Sequence, residues 1–149
     1  MCLLTVQALA KREVVKAFNR SAHSQSQVSA LGHTYVEVRI YSLGLSAYEE
    51  VSLLVDSGST YTWVQKDRLD KLGIKREDER GFRTIDNRVV RRPIGMGVVE
   101  LMERRSPTVL VFAEKEDAEV LGVHALEGLG VELDPVTKQL KKTEAILAI

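Results

Sequence analysis

One stretch of the chain carries residue types arranged for chemistry: Leu53-Leu54-Val55-Asp56-Ser57-Gly58-Ser59-Thr60. An acid stands at the end of a strongly apolar run, followed by a hydroxyl residue, a glycine and two more hydroxyls. In a strand that ends on a tight turn, Gly58 lets a backbone N–H approach the Asp56 carboxylate closely. Ser57 and Ser59 can donate hydrogen bonds around it. A carboxylate held by several donors at the edge of an apolar core can be tuned to carry a proton. The same residues also serve a structural use, an Asx-type turn closing a hairpin.

Other chemistries find no support. His23, His33 and His124 lie far apart, without metal-ligand spacing. Cys2 is the single cysteine, so an intrachain disulfide and a cysteine zinc cluster are excluded. Gly95-Met96-Gly97 and Gly128-Leu129-Gly130 lack the third glycine and the strand-then-helix setting of a dinucleotide loop. No phosphate loop, Gly-x-Ser-x-Gly elbow or Cys–His pair occurs. We therefore expect neither a metal nor a cofactor.

The elements around Asp56 read as β. Tyr35 to Tyr41 alternates apolar and polar residues, and Val51 to Val55 is a second, apolar strand running into Asp56. Thr62 to Val64 resumes a short strand, and Lys66 to Leu72 is a short helix stopped by Gly73. Phe82 to Ile85 and Val89 to Ile94 flank a turn at Asp86-Asn87, a hairpin pattern. Gly95 and Gly97 suggest a bend or bulge before Val98 to Leu101. Val109 to Phe112 is a buried strand, and Glu114 to Glu119 an acidic surface loop. Val120-Leu121-Gly122 leads into a brief helix, Val123 to Leu129, ended by Gly130. Val131 to Leu133 pairs with Gln139 to Lys141 across a turn at Asp134-Pro135. Many short strands and two short helices make a mostly-β barrel or sandwich.

Residues 1–30 differ from the rest. Val6, Leu9, Ala10, Val14, Ala17 and Phe18 recur at near-helical spacing, and a Ser/Gln-rich linker, Ser21 to Ser29, follows. We expect an N-terminal extension over 1–30, helical then linker, and one domain over 31–149. The apolar start lacks a preceding basic region and is interrupted by Lys11, Arg12 and Glu13, so we expect no export signal and a cytoplasmic location. No apolar run approaches the roughly 18 residues of a membrane span. The chain has 149 residues, with 21 basic and 21 acidic side chains. That balance removes the electrostatic footprint of a general nucleic-acid binder and any charge-driven attraction to anionic membranes.

The Asp-Ser-Gly-Ser-Thr turn closing a second strand, the later hairpin and the Val-Leu-Gly element resemble the retroviral-type (retropepsin-like) aspartic proteases, above all their prokaryotic single-domain members. The resemblance runs from His33 to about Ile149. It includes Leu69-Asp70-Lys71-Leu72-Gly73-Ile74 and, more specifically, the run from Leu121-Gly122-Val123 to Leu133-Asp134-Pro135. It implies a single-lobed acid-protease barrel with one or two short helices. Asp56 matches the catalytic aspartate, and Ser57 the hydroxyl that bonds across a two-fold axis to the partner loop. Gly58 matches the glycine whose N–H bonds the carboxylate. Ser59, similar to the pepsin-type pattern, would bond the outer carboxylate oxygen, and Thr60 completes the supporting loop. Leu121-Gly122 matches the pair that packs beneath it. Phe82 to Met96 matches the flap, with Ile85, Asp86, Asn87 and Arg88 as its candidates. The glycine-rich tip of viral flaps is absent.

Such a reaction needs two carboxylates sharing one proton around a water. Asp67, Asp70, Asp78, Asp86, Asp117 and Asp134 lack the turn and the apolar strand, so the second must come from another copy of Asp56. We expect a homodimer with an isologous interface. The apolar tail Ala145 to Ile149 is a strand of that interface or of the same chain. Arg88, Arg91 and Arg92 read as solvated edge charges that block strand addition, rather than as a basic patch favouring acidic substrate segments, and Trp63 as a pocket wall or a core residue. The expected function is an aspartic endopeptidase cleaving peptides or proteins. The alternative is a non-catalytic protein holding an extended peptide on the same fold by strand addition.

Overall fold

Alternation of apolar and polar residues, broken at glycines and short polar turns, sets the strands. The computed structural model describes residues 27–28 and 32–144. The expected N-terminal helix and the apolar tail lie outside the described residues. The strands are β1 (Gln27–Val28), β2 (Thr34–Tyr41), β3 (Tyr48–Val55), β4 (Thr62–Gln65), β5 (Asp78–Arg83), β6 (Val89–Leu101), β7 (Arg104–Ala113), β8 (Val120–Leu121), β9 (Val131–Leu133) and β10 (Leu140–Lys142). Two short helices, α1 (Lys66–Lys71) and α2 (Val123–Leu129), interrupt them.

The main sheet closes on itself. β2 pairs antiparallel with β3, β3 parallel with β8, β8 with β4, β4 parallel with β7, β7 antiparallel with β6, and β6 returns to β2. Closure leaves few free edges to pair with other chains. Val36, Val38, Ile40, Val51, Leu53, Val64, Leu110, Phe112 and Leu121 fill the interior, together with Ala125, Leu126 and Leu129 of α2. A smaller cluster of Tyr35, Leu54 and Val120, with Trp63 and Ala118, lies apart from it.

Both helices end on left-handed glycines. Gly73 (φ +72°) follows α1, where Gly73 N–H reaches Asp70 O and Ile74 N–H reaches Leu69 O. Gly130 (φ +64°) caps α2 in the same way. Arg104 Nη1 donates to the Leu129 and Gly130 carbonyls and so completes the C-terminus of α2.

Several local readings change. Gly95 and Gly97 make no bulge: β6 runs as thirteen residues in unbroken register with β7, from Ile94↔Val111 to Leu101↔Arg104. The glycines stand where the other edge of β6 passes from β5 to β2. A Cβ on Gly95 would collide with Lys75 O, and one on Gly97 would lie 2.8 Å from Tyr41 O, so what they provide is close approach. The turn between β6 and β7 is Met102-Glu103, both at positive φ (+53° and +66°). That is the backbone of a two-residue hairpin turn usually written with Asn or Gly, so neither residue type announced it. Gln27 and Val28, in the stretch read as linker, pair with Tyr35 and Thr34. The acidic loop is only partly a surface loop. Glu119 is buried and accepts Gln65 N–H at 3.1 Å, and Asp117 accepts Glu114 N–H at 2.8 Å.

Because a side chain at Gly95 must displace backbone, Gly95→Ala is expected to lower unfolding free energy by about 1–3 kcal/mol through overpacking. Gly44, with nothing within 4 Å of its Cβ position, is the control. Gly44→Ala should stay within about 0.5 kcal/mol of wild type in the same urea titration.

Candidate active site

β3 delivers Asp56 to the barrel end. Its pairing with β8 continues one bond past Val55, as Asp56 N–H donates to Leu121 O at 3.0 Å. The chain then turns. Gly58 N–H donates to Asp56 Oδ1 at 2.9 Å, and Ser59 N–H to Asp56 O at 3.2 Å. Asp56 is half-buried, and Ser57, Gly58 and Thr60 beside it are exposed.

The Ser59 hydroxyl goes elsewhere than expected. It donates to Tyr61 O at 2.8 Å rather than to the Asp56 carboxylate. The bend at Thr60-Tyr61 brings that carbonyl within reach two residues on, and a local acceptor outcompetes a carboxylate on the far side of the turn.

Leu121 and Gly122 meet the loop through backbone. Gly122 N–H donates to Thr62 Oγ1 at 3.1 Å in a buried contact. Val123 N–H donates to Ser59 O at 2.8 Å and His124 N–H to Thr60 O at 3.1 Å. These are opening N–H groups of α2, which have no partner within the helix, and no side chain caps them. A Cβ on Gly122 would collide with Tyr61 O and lie 2.9 Å from Ser59 O, so glycine is required for this approach. Thr62 is fully buried and is a functional residue that the sequence does not mark. A threonine opening a strand has no signal of its own, and only the helix beside it shows that its oxygen has a donor to satisfy.

The hairpin of β5 and the outer half of β6 stands apart from this unit. Thr84 N–H donates to Arg88 O at 2.8 Å and Asn87 N–H to Thr84 O at 3.0 Å. Asn87 sits at φ +66° and supplies the left-handed residue that a glycine supplies in other tips. Asp86 accepts from the Thr84 hydroxyl and from Arg88 Nε (2.7 Å). Ile85 is 105% exposed. The bonds of Ile85 to Arg88 are internal to the tip or reach its neighbours Thr84 and Arg83.

Arg92 corrects the reading of the arginines as solvated. It makes a bidentate pair with Asp117 (2.7 and 3.0 Å), both side chains only about one-sixth exposed, at 14% and 16%. Strand alternation turns Arg92 toward the barrel and Arg91 outward, where it pairs with Glu79 at 2.8 Å. Trp63 is half-buried, its ring 4.8 Å from that of Phe82.

Among the described residues, no group of three or more His, Cys, Asp or Glu is placed to hold a metal. No described helix is long and apolar enough to cross a membrane.

A six-stranded closed barrel with a hairpin beside an Asp-Ser-Gly turn, and a glycine-led helix beneath that turn, is the retropepsin-like architecture. The chain is similar to solved structures that include the following two. EIAV protease complexed with the inhibitor HBY-793 superposes with a TM-score of 0.55 at 16% identity, over 72% of this chain and 98% of that one. A retropepsin-like aspartic protease from Rickettsia conorii does so with 0.54 at 17% identity, over 78% and 86%. Neither a family model nor a curated protein matches. The fold is thus mostly β and retropepsin-like, with two short helices, and the low identity carries the fold alone.

Two outcomes follow from this geometry. Thr62→Val keeps the shape but orphans the buried Gly122 N–H, and unfolding free energy should fall by about 1–3 kcal/mol in a urea titration. The Thr84 hydroxyl, then Arg88, holds the Asp86 carboxyl below its ordinary range. A depressed folded value means that its tip-fastening effect is full above the ordinary carboxylate range and is lost as pH falls through the depressed value. Carboxyl-carbon NMR should show Asp86 titrating below a free aspartate, and Thr84→Val should raise its midpoint.

Proposed function

We propose that the chain is an aspartic endopeptidase acting as a homodimer, with Asp56 of each copy facing the other across a two-fold axis. The observation that carries this reading is the standing of Asp56 among the acids. It ends an apolar strand, accepts a glycine N–H and opens to solvent beside a hairpin. The other described aspartates with bonds are engaged elsewhere: Asp70 with Arg76, Asp78 with the Glu79 N–H and Arg80, Asp86 with Arg88, Asp117 with Arg92, and Asp134 with the Val136 and Thr137 N–H groups. One chain thus offers one such carboxylate, and a two-carboxylate mechanism draws the second from a second copy. The retropepsin-like fold supports the same reading.

In the dimer, two close carboxylates do not both ionise readily, so the pair keeps one proton. The ionised member takes a proton from a water lying between them. The water oxygen bonds to the scissile carbonyl carbon while the protonated member gives its proton to the carbonyl oxygen. Collapse of this tetrahedral intermediate breaks the C–N bond, and a proton passes to the leaving amine. The Gly58 N–H on Oδ1 orients the carboxylate throughout. The hairpin covers the peptide and lends it strand-like pairing.

Asp56→Asn keeps the size of the side chain and removes its acid–base capacity. Cleavage of a peptide library at mildly acidic and neutral pH should fall by about a thousandfold or more, since each member of the pair supplies proton transfer. Equal cleavage by both forms, or sedimentation showing only monomer at assay concentrations, would sink the proposal. Peptide binding without turnover by the wild-type protein would favour the non-catalytic alternative.

A further inference from the structure

The inner face of the hairpin meets the segment that follows the Asp56 turn. Cross-strand partners share a face, and the register pairs Arg80 with Arg92 and Phe82 with Val90. These four therefore point the same way. Within β5 only Phe82 is not exposed. Its ring meets Tyr61 edge-on (6.3 Å between centroids, 88°) and Trp63 (4.8 Å, 65°). Arg80 Nη1 donates to Tyr61 Oη at 2.6 Å, and its guanidinium lies 5.5 Å from the centre of that ring. Tyr61 is braced in turn by His124, 6.1 Å away at 82°. Tyr61 and Trp63 belong to the segment that leaves the Asp56 turn, and the Tyr61 carbonyl accepts the Ser59 hydroxyl.

The hairpin thus has two anchorages of different kinds. At its base, Arg92 and Asp117 form a largely buried bidentate pair, with Asp117 also accepting Glu114 N–H. Level with it across the strands, the Arg80–Tyr61 hydrogen bond lies near the surface, and one same-face residue pair nearer the tip the Phe82 ring is wedged against two others. Past that point the tip bonds only to itself and its flanking residues. A lever fixed at its base and held farther out by a single side-chain wedge moves by releasing the wedge.

We propose that Phe82 and Arg80 form a latch that holds the hairpin down on Tyr61 and Trp63, and that they are positioning residues for peptide binding beside Asp56. Their effect on peptide binding rests on the peptidase reading; the latch itself does not. The latched hairpin presents its strand edge already in place, so less ordering is left to be done when a peptide arrives. Without the latch the competent state is less populated, and apparent affinity falls by that fraction. The loss therefore appears in KM and leaves kcat unchanged.

Trp63 is the sole tryptophan, so its emission reports on the latch without any substrate. Acrylamide quenching and emission wavelength would be compared for wild type, Phe82→Ala, Phe82→Tyr and Arg80→Gln. Phe82→Ala should shift the emission to the red and increase quenching, while Phe82→Tyr should restore the wild-type values. Arg80 bonds to Tyr61 and not to Trp63, so a smaller shift in the same direction for Arg80→Gln signals hairpin movement rather than removal of a neighbour. An unchanged Trp63 signal in Arg80→Gln overturns the latch, even if Phe82→Ala fails to fold. With a cleavable peptide, Arg80→Gln should raise KM about three- to tenfold, the range of one aromatic or hydrogen-bond contact. A fall in kcat at constant KM overturns the positioning role. A quenching response in a protein that cleaves nothing upholds the latch and removes the peptidase reading.

Discussion

Hydrogen bonds between the turn after β3 and the start of α2 govern the geometry of the site. Asp56 N–H meets Leu121 O, Gly122 N–H meets Thr62 Oγ1, and the N–H groups of Val123 and His124 meet the carbonyls of Ser59 and Thr60. Two problems are solved together. A turn made of Ser, Gly and Thr leaves carbonyls that its own residues cannot satisfy, and a seven-residue helix leaves N–H groups that no side chain caps. Each supplies what the other lacks. The contact depends on backbone meeting backbone, which is why a glycine stands at 122 and why Leu121 is carried into the core beneath the turn.

This clasp ties the Asp56 turn to the start of α2 through backbone hydrogen bonds and the buried Thr62 hydroxyl. The hairpin belongs to a different layer. Its outer face carries the exposed pair Arg91–Glu79, and its inner face carries Arg80, Phe82, Val90 and Arg92. Only the Arg92–Asp117 pair ties it to the barrel through largely buried charge. The Asp56 turn is thus held by backbone hydrogen bonds, and the hairpin is attached to the barrel through side chains.

Much of this was legible before any fold was known. The helix ends at Gly73 and Gly130 were readable because a left-handed cap needs glycine, and the hairpin tip because Asn at a turn tolerates the same conformation. The closeness of Gly58 N–H to the Asp56 carboxylate was readable because both lie within one turn. The failures have a common cause. The residue order suggests a carboxylate partner for the Ser59 hydroxyl, but a bend presents the Tyr61 carbonyl to it first. Gly95 and Gly97 look like local punctuation in the sequence, whereas Lys75 and Tyr41, distant along the chain, set the demand for them. Arg92 and Arg91 are neighbours of one type, and only the position of Asp117 separates a buried ion pair from a surface charge.

The sequence by itself determined a β-rich chain with two short helices and one acid poised at the end of an apolar strand. Periodicity, turn residues and the Asp-Ser-Gly order are local properties that survive without neighbours. Only the tertiary structure decided that Thr62 satisfies the helix beneath that acid, that the barrel closes through β2 and β6, and that Phe82 lies between Tyr61 and Trp63. Each of these joins residues between about 20 and 60 positions apart. Whether a donor finds its acceptor, or a ring its partners, over such distances is settled by the path of the backbone between them.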